Sequence, residues 1–150
     1  MFNHIVAKVP LIAATWEDAI RQLGGALQEA GYVKETFIPA VVAREIEFPT
    51  GLEAPSIGVA IPHTDACHVS DSAIAIGLLK KPIPFGKMGG CAQETVDVSV
   101  VILMAVDHPE QQVPAILRLL GILQDQKAIQ RVASSPTGDR LEEVISLYLR

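Results

Sequence analysis

The stretch Val96–Val106 (VDVSVVILMAV) constrains this chain most strongly, because beyond Ser99 it is apolar without interruption and rich in β-branched residues. Such a strand has no face to give to water. It belongs inside a sheet that other elements cover on both sides. Shorter runs at Ile57–Ile61 and Ala73–Leu79 read as companion strands. The glycine- and proline-rich segment Lys80–Gly90 (KKPIPFGKMGG) reads as a long surface loop between two of them.

The covering layers are expected from helical spacing. Thr15, with Asp18 three positions on, marks a helix start; Ile20, Leu23 and Leu27 then line one face, and Gly31 closes the helix. Thr36 is the candidate cap of a second helix, with Pro39 in its first turn and Val42 and Ile46 on its apolar side. Phe48-Pro49-Thr50-Gly51 ends it. A third helix is expected between Pro109 and Leu123 with Leu117, Leu120 and Leu123 inward, and Pro114 makes it start late or kink. Two shorter helices follow around Lys127–Val132 and Asp139–Tyr148. The expected fold is α/β, a single domain over residues 1–150 with a central mixed β-sheet flanked by helices.

Composition removes several classes of function. With 12 Lys and Arg against 17 Asp and Glu, the net charge is −5, which disfavours a nucleic-acid binder. Hydrophobic residues at 49% and charged ones at 19% exclude intrinsic disorder. The longest apolar run, Val100–Val106, is far short of the ~20 residues that cross a bilayer. The start (Met1, Phe2, Asn3, His4) lacks the basic and apolar regions of a secretory signal, so a cytoplasmic setting is expected. Cys67 and Cys91 are too few for a disulfide scaffold and read as small buried or half-buried thiols.

The chemistry-bearing groups are few. The chain has no phosphate-cradling glycine loop, no G-x-S-x-G elbow and no H-E-x-x-H. What stands out is Gly58–His68 (GVAIPHTDACH), an apolar strand that runs into Pro62 and presents His63 at its end. Proline fixes its own φ and holds the residue before it extended, so the strand stops where the histidine emerges. By itself the Pro-His pair equally describes a turn histidine. His63, Asp65, Cys67 and His68 also offer nitrogen, oxygen and sulfur donors that suit zinc, although ligands from one tight loop seldom close a tetrahedron.

Residues 41–68 (VVAREIEFPTGLEAPSIGVAIPHTDACH) resemble the signature region of the IIA domains of the bacterial sugar phosphotransferase system, fructose/mannitol class. The A-R-E-x-E-F-P-T-G run and the A-I-P-H strand end resemble the galactitol-type branch most, and the likeness extends through Asp107–Gln112 over essentially the whole chain. It implies a phosphotransferase/anion-transporter IIA-like fold and a phosphoryl carrier. Such a carrier takes a phosphoryl group from the phosphocarrier protein HPr onto one histidine. It passes the group to a cysteine of a cognate IIB protein and through it to the IIC membrane permease, for uptake of a polyol such as galactitol. It needs no cofactor or metal and touches neither the sugar nor nucleic acid. A free-standing regulatory domain with the same histidine is the alternative.

On this likeness His63 matches the phosphorylated histidine, which the family phosphorylates at Nε2. Neutral imidazole suits that role, since its ordinary pKa of ~6.5 leaves one nitrogen lone pair free near pH 7. Arg44 matches the active-site arginine and would hold phosphoryl oxygens with its planar fork; otherwise it is a helix-surface arginine paired with Glu45 or Glu47. Thr50 would donate its hydroxyl to the phosphoryl group, or else close the turn beside Gly51. Asp65 would fix the imidazole tautomer, or else face solvent. Mannitol-type members carry a second histidine where this chain places Gln112, a neutral donor in the galactitol-type branch too; nearby His108 is offset from that position. Gln112 is alternatively a cap or surface residue. The surface around His63 is expected to be partly apolar, with Phe85 a candidate docking contact beside its reading, with Trp16 and Phe37, as packing.

Overall fold

The computed structural model describes residues 2–149. Five strands form one sheet: β1 (His4–Leu11), β2 (Gly51–Ala54), β3 (Ile57–Ala60), β4 (Ala73–Gly86) and β5 (Thr95–Ala105), in the order β1-β4-β5-β3-β2. β1 with β4 and β3 with β5 are parallel, whereas β4 with β5 and β2 with β3 are antiparallel. The sheet is therefore mixed, as expected. Helices α1 (Trp16–Glu29) and α2 (Phe37–Glu47) cover one face; α3 (Gln112–Gln124), α4 (Gln126–Ala133) and α5 (Gly138–Leu149) cover the other. No helix among the described residues is long and apolar enough to cross a membrane.

β5 divides the core as its composition requires. Val98, Val101, Leu103 and Ala105 pack toward α1 and α2, while Val100, Ile102 and Met104 pack toward α3, α4 and α5. The strict alternation breaks at Ser99, where β5 slips register against both β3 and β4. A bulge there switches the side on which each valine is buried.

The Thr15 start of α1 is as the sequence predicts, because its Oγ1 accepts the Asp18 N–H at 3.1 Å. Gly31 closes the helix in the left-handed region, at φ 85°. Pro114 falls in the first turn of α3, so the helix starts late and has no interior proline.

Other expectations are corrected. β4 does not end at Leu79 but continues to Gly86, with Ile83 opposite Val98 and Phe85 opposite Val96. Beyond Leu79 it has β5 as its only strand neighbour among the described residues, and an edge ladder tolerates Pro82 and Pro84. Phe85 is consequently 0% exposed, a core residue that no partner can touch. β1 and β2 were not predicted as strands; β1 is only half-buried and β2 has four residues, so neither carries a strong apolar run. α2 turns Phe37, Val41 and Glu45 inward at four-residue spacing and leaves Ile46 exposed. α3 likewise buries Ala115, Leu119 and Leu123, leaving Leu117 in solvent. Thr36 caps nothing with its side chain, because its hydroxyl is bonded to His68 Nδ1 at 2.8 Å. Cys67 and Cys91 are both exposed.

Two glycines test the packing in opposite directions. A Cβ on Gly58 would lie 2.0 Å from the Asp97 carbonyl oxygen, so Gly58→Ala forces β3 off β5 and should cost about 3 kcal/mol. Gly25, inside α1, has nothing within 4 Å of the added carbon, and Gly25→Ala should gain about 0.5–1 kcal/mol. Urea unfolding checks both; a Gly58→Ala midpoint equal to the wild type would show that the β3–β5 contact has slack.

Candidate functional site

β3 delivers the site. The strand leaves the sheet after Ala60, and the Pro62 carbonyl accepts the Met104 N–H at 3.0 Å, which ties the departing chain to β5. His63 follows at once, 8% exposed. Its Nδ1 lies 2.9 Å from the Ile61 carbonyl oxygen. A carbonyl only accepts, so the bonding assigns the proton of the neutral ring to Nδ1 and the lone pair to Nε2. Nε2 makes no hydrogen bond among the described residues. Burial holds the His63 pKa below its ordinary 6.5, with smaller effects of the Ile61 bond and Asp65 upward and of Arg44 downward. A neutral imidazole with a bare Nε2 has the lone pair that nucleophilic chemistry needs.

Beside it opens a cleft of about 400 Å³, whose lining includes His63, Arg44, Phe48, Thr50, Met88 and Ile116. Arg44 stands in the last turn of α2 with its guanidinium 5.4 Å from the Phe48 ring centre. It forms no ion pair with Glu45 or Glu47 among the described residues, and its Nε is buried without a partner. A buried charged donor left unsatisfied is costly. It fits an anion that enters the cleft.

The remaining sequence candidates divide. Thr50 lines the cleft, but its hydroxyl donates to Glu45 Oε1 at 2.8 Å and its N–H to Glu45 Oε2 at 2.7 Å. Its Oγ1 also accepts the Ile61 N–H at 3.2 Å, so in this state Thr50 has no hydrogen left for a ligand. Asp65 is exposed and does not bond His63; the Ile61 carbonyl fixes the tautomer instead. Gln112 opens α3 and donates from Nε2 to the Thr64 carbonyl at 2.7 Å, next in chain to His63, while its Oε1 is buried and unpartnered. His108 is outside the cleft lining and pairs with Asp107 at 2.6 Å, which raises its pKa. The zinc reading is overturned. His63, Asp65, Cys67 and His68 do not converge, and no group of three His, Cys, Asp or Glu side chains able to hold a metal occurs among the described residues.

Sequence reasoning missed Glu45, which it weighed only as a surface partner of Arg44. It is 4% exposed, and desolvation raises its pKa to about 7 against the opposing pull of the Thr50 bonds and of Arg44. The signal was present in the spacing: Glu45 lies four residues after Val41 and eight after Phe37, on the buried stripe of α2.

Residues 1–147 match the family model described as "Phosphoenolpyruvate-dependent sugar phosphotransferase system, EIIA 2". The galactitol-specific EIIA component of Escherichia coli K12 is 30% identical over 132 residues, covering 88% of this chain and 86% of that protein. The transcriptional regulator ManR of Bacillus subtilis is 38% identical over 92 residues, 61% of this chain and 12% of ManR. Among solved structures, the Escherichia coli complex of enzyme IIAMTL with phosphorylated enzyme IIBMTL matches with a TM-score of 0.75 and 24% identity, covering 93% of each chain. With nearly every residue inside that family model and a sugar-specific relative aligned along most of its length, the chain belongs to the EIIA type-2 family of the sugar phosphotransferase system, a phosphotransferase component of sugar transport.

Proposed function

We propose that this protein is a phosphoryl carrier in which Nε2 of His63 accepts a phosphoryl group from HPr and yields it to a cysteine of a cognate IIB protein. The IIB protein in turn serves a IIC permease for a polyol such as galactitol. One observation carries the reading: the Ile61 carbonyl holds the His63 proton on Nδ1 and leaves Nε2 bare, and His63 shares a cleft with Arg44, whose buried Nε has no hydrogen-bond partner. The membership of the family and the galactitol-specific relative support the transport assignment. The phosphorylated IIB partner of enzyme IIAMTL supports the choice of acceptor.

The chemistry follows from the groups. In-line transfer needs little from a protein beyond positioning and charge stabilisation. Nδ1 keeps its proton throughout, so the bond formed is Nε2–P and the bond broken is the donor's. The covalent intermediate splits one transfer between two proteins into two steps that share one site. Arg44 supplies the cation, and its planar fork suits two phosphoryl oxygens at once. Gln112 steadies the chain at Thr64 from the first turn of α3. Exposed Phe48 gives the edge of the cleft an apolar character suited to a transient partner. The reading requires no cofactor or metal, and places the protein in the cytoplasm, where it meets neither sugar nor nucleic acid. ManR favours one second reading, a free-standing regulatory domain with the same phosphohistidine. Transfer to a IIB cysteine separates the two, since a regulator need not perform it.

Incubation with phosphoenolpyruvate, the general phosphotransferase enzyme and HPr should add one acid-labile phosphoryl group, at Nε2 of His63 by nitrogen NMR. A His63→Ala protein that labels equally would overturn the assignment. Because burial lowers the His63 pKa, the nucleophile persists below pH 6.5. The acid limb of the single-turnover rate should therefore have its midpoint below pH 6.5.

Arg44→Lys keeps the charge but loses the fork, and should slow transfer by about ten- to a hundred-fold, the equivalent of one charge-assisted hydrogen bond. Equal rates in stopped-flow transfer from HPr would make Arg44 a bystander.

Gln112→Ala removes one neutral hydrogen bond and should slow transfer about tenfold or less, with Gln112→His tolerated. Wild-type kinetics toward both HPr and IIB would remove Gln112 from the site.

A further inference from the structure

We propose that phosphorylation of His63 makes Glu45 take up a proton from solvent, and that this proton releases the Thr50 hydroxyl to donate to the phosphoryl group. The inference rests on the reading of His63 as the phosphoryl acceptor. Thr50 has one hydroxyl hydrogen, and it is committed to Glu45 Oε1 at 2.8 Å. The Thr50 N–H is committed to Glu45 Oε2 at 2.7 Å, and Thr50 Oγ1 already accepts the Ile61 N–H. With Glu45 ionised, the hydroxyl that lines the cleft presents only an acceptor, which repels a phosphoryl oxygen.

Protonated Glu45 reverses this. A hydrogen on Oε1 can donate only to Thr50 Oγ1, while Oε2 continues to accept the Thr50 N–H. Both lone pairs of Oγ1 are then filled, one by Ile61 N–H and one by Glu45 O–H. The Thr50 hydrogen has to turn to another acceptor, and the phosphoryl oxygens in the shared cleft supply it.

The driving force is electrostatic. A phosphoryl group brings about 1.5 to 2 negative charges into the cleft that contains Thr50 and His63. The ionisable groups facing it are Arg44 and Glu47 from α2 and His63 itself; the turn between β4 and β5 contributes Met88, Gly89 and Gly90, and α3 contributes Ile116, none of which titrates. Arg44 is thus the one fixed cation of the lining. Burial has already brought the Glu45 carboxyl to the edge of neutrality near pH 7, so an added negative potential tips it. The balance is complete: the donor's bond to phosphorus breaks, Nε2–P forms, Nδ1 keeps its proton, and one solvent proton converts the Glu45 carboxylate to the acid.

The test is a carbon NMR titration of the glutamate carboxyls in the wild-type protein, before and after phosphorylation, with Glu45→Gln identifying the signal. The Glu45 midpoint should lie near 7 in the free protein and rise by about one unit or more on phosphorylation. An unchanged midpoint in a protein whose His63 is verified as phosphorylated overturns the inference and leaves the carrier reading intact. A protein not phosphorylated at His63 overturns the carrier reading first. Between the two midpoints the wild-type phosphorylation equilibrium against HPr should fall with rising pH relative to Glu45→Gln, whose amide cannot ionise, by about tenfold in all for each unit by which the midpoint rises; parallel profiles would also overturn the inference. Thr50→Val should shorten the phosphohistidine lifetime several-fold and Thr50→Ser should restore it, a pattern that loss of packing alone would not produce.

Discussion

A strand that must hide both of its faces dictates nearly everything else here. β5 sends Val101, Leu103 and Ala105 one way and Val100, Ile102 and Met104 the other, and only a helix layer on each side satisfies both. With the two layers in place, a chain leaving the sheet emerges between them. β3 runs parallel to β5 and departs after Ala60, so its next residues stand between the end of α2 and the start of α3. The close β3–β5 approach at Gly58 and the Met104–Pro62 hydrogen bond fix the height at which His63 appears. The position of His63 is therefore a consequence of core packing, and a site so placed inherits the rigidity of the sheet.

Burial then sets the chemistry. An exposed histidine would be partly protonated near neutrality, whereas desolvation and Arg44 keep His63 neutral. The same dry surroundings raise Glu45. One physical cause thus moves the two pKa values in opposite directions, and favours the neutral form of the base and of the acid alike. For stability the signs differ. Glu45, raised above its unfolded value of 4.5, contributes stability below that pH that is lost as pH rises through about 7. His63, lowered from 6.5, contributes stability above that pH that is lost on acidification through its folded value. The hydrogen bonds from Thr50 to Glu45 and from Ile61 to Thr50 join these two groups through one continuous chain of polar contacts.

The sequence carried the fold where apolar content was high and lost it where packing decided. β5, the Thr15 cap and the late start of α3 are legible because each rests on local chemistry: unbroken burial, an oxygen acceptor, a missing N–H. The continuation of β4 through Pro82 and Pro84 is not, because it depends on β1 ending opposite Leu79. The helix faces went wrong for a related reason. Ile46 and Leu117 are apolar, but the rotation of α2 and α3 is set by their neighbours, and the inward places go to Glu45 and Leu119. At the site, the motif brings His63, Arg44 and Thr50 to one cleft as residues, while the direction of each hydrogen bond is invisible in it. The tautomer of His63 depends on a backbone carbonyl, which no residue type encodes.

Arg44 Nε and Gln112 Oε1 are the two buried side-chain polar atoms among the described residues with no partner, and they differ in kind. The first is a cationic donor, and a phosphoryl oxygen satisfies it directly. The second is an acceptor, and a phosphoryl dianion offers it nothing. Gln112 cannot mend this by turning its amide over, because the Thr64 carbonyl also only accepts and therefore holds the Nε2 end. Whatever Gln112 contributes to the phosphoryl group must come from the second N–H of Nε2 or through the backbone at Thr64. Neither route brings positive charge, so in the proposed carrier the excess negative charge of a phosphorylated His63 would fall on Arg44 and on whatever proton the cleft can recruit. The buried acid proposed to recruit one is Glu45, one residue along the same helix from the arginine and bonded to the Thr50 that lines the cleft.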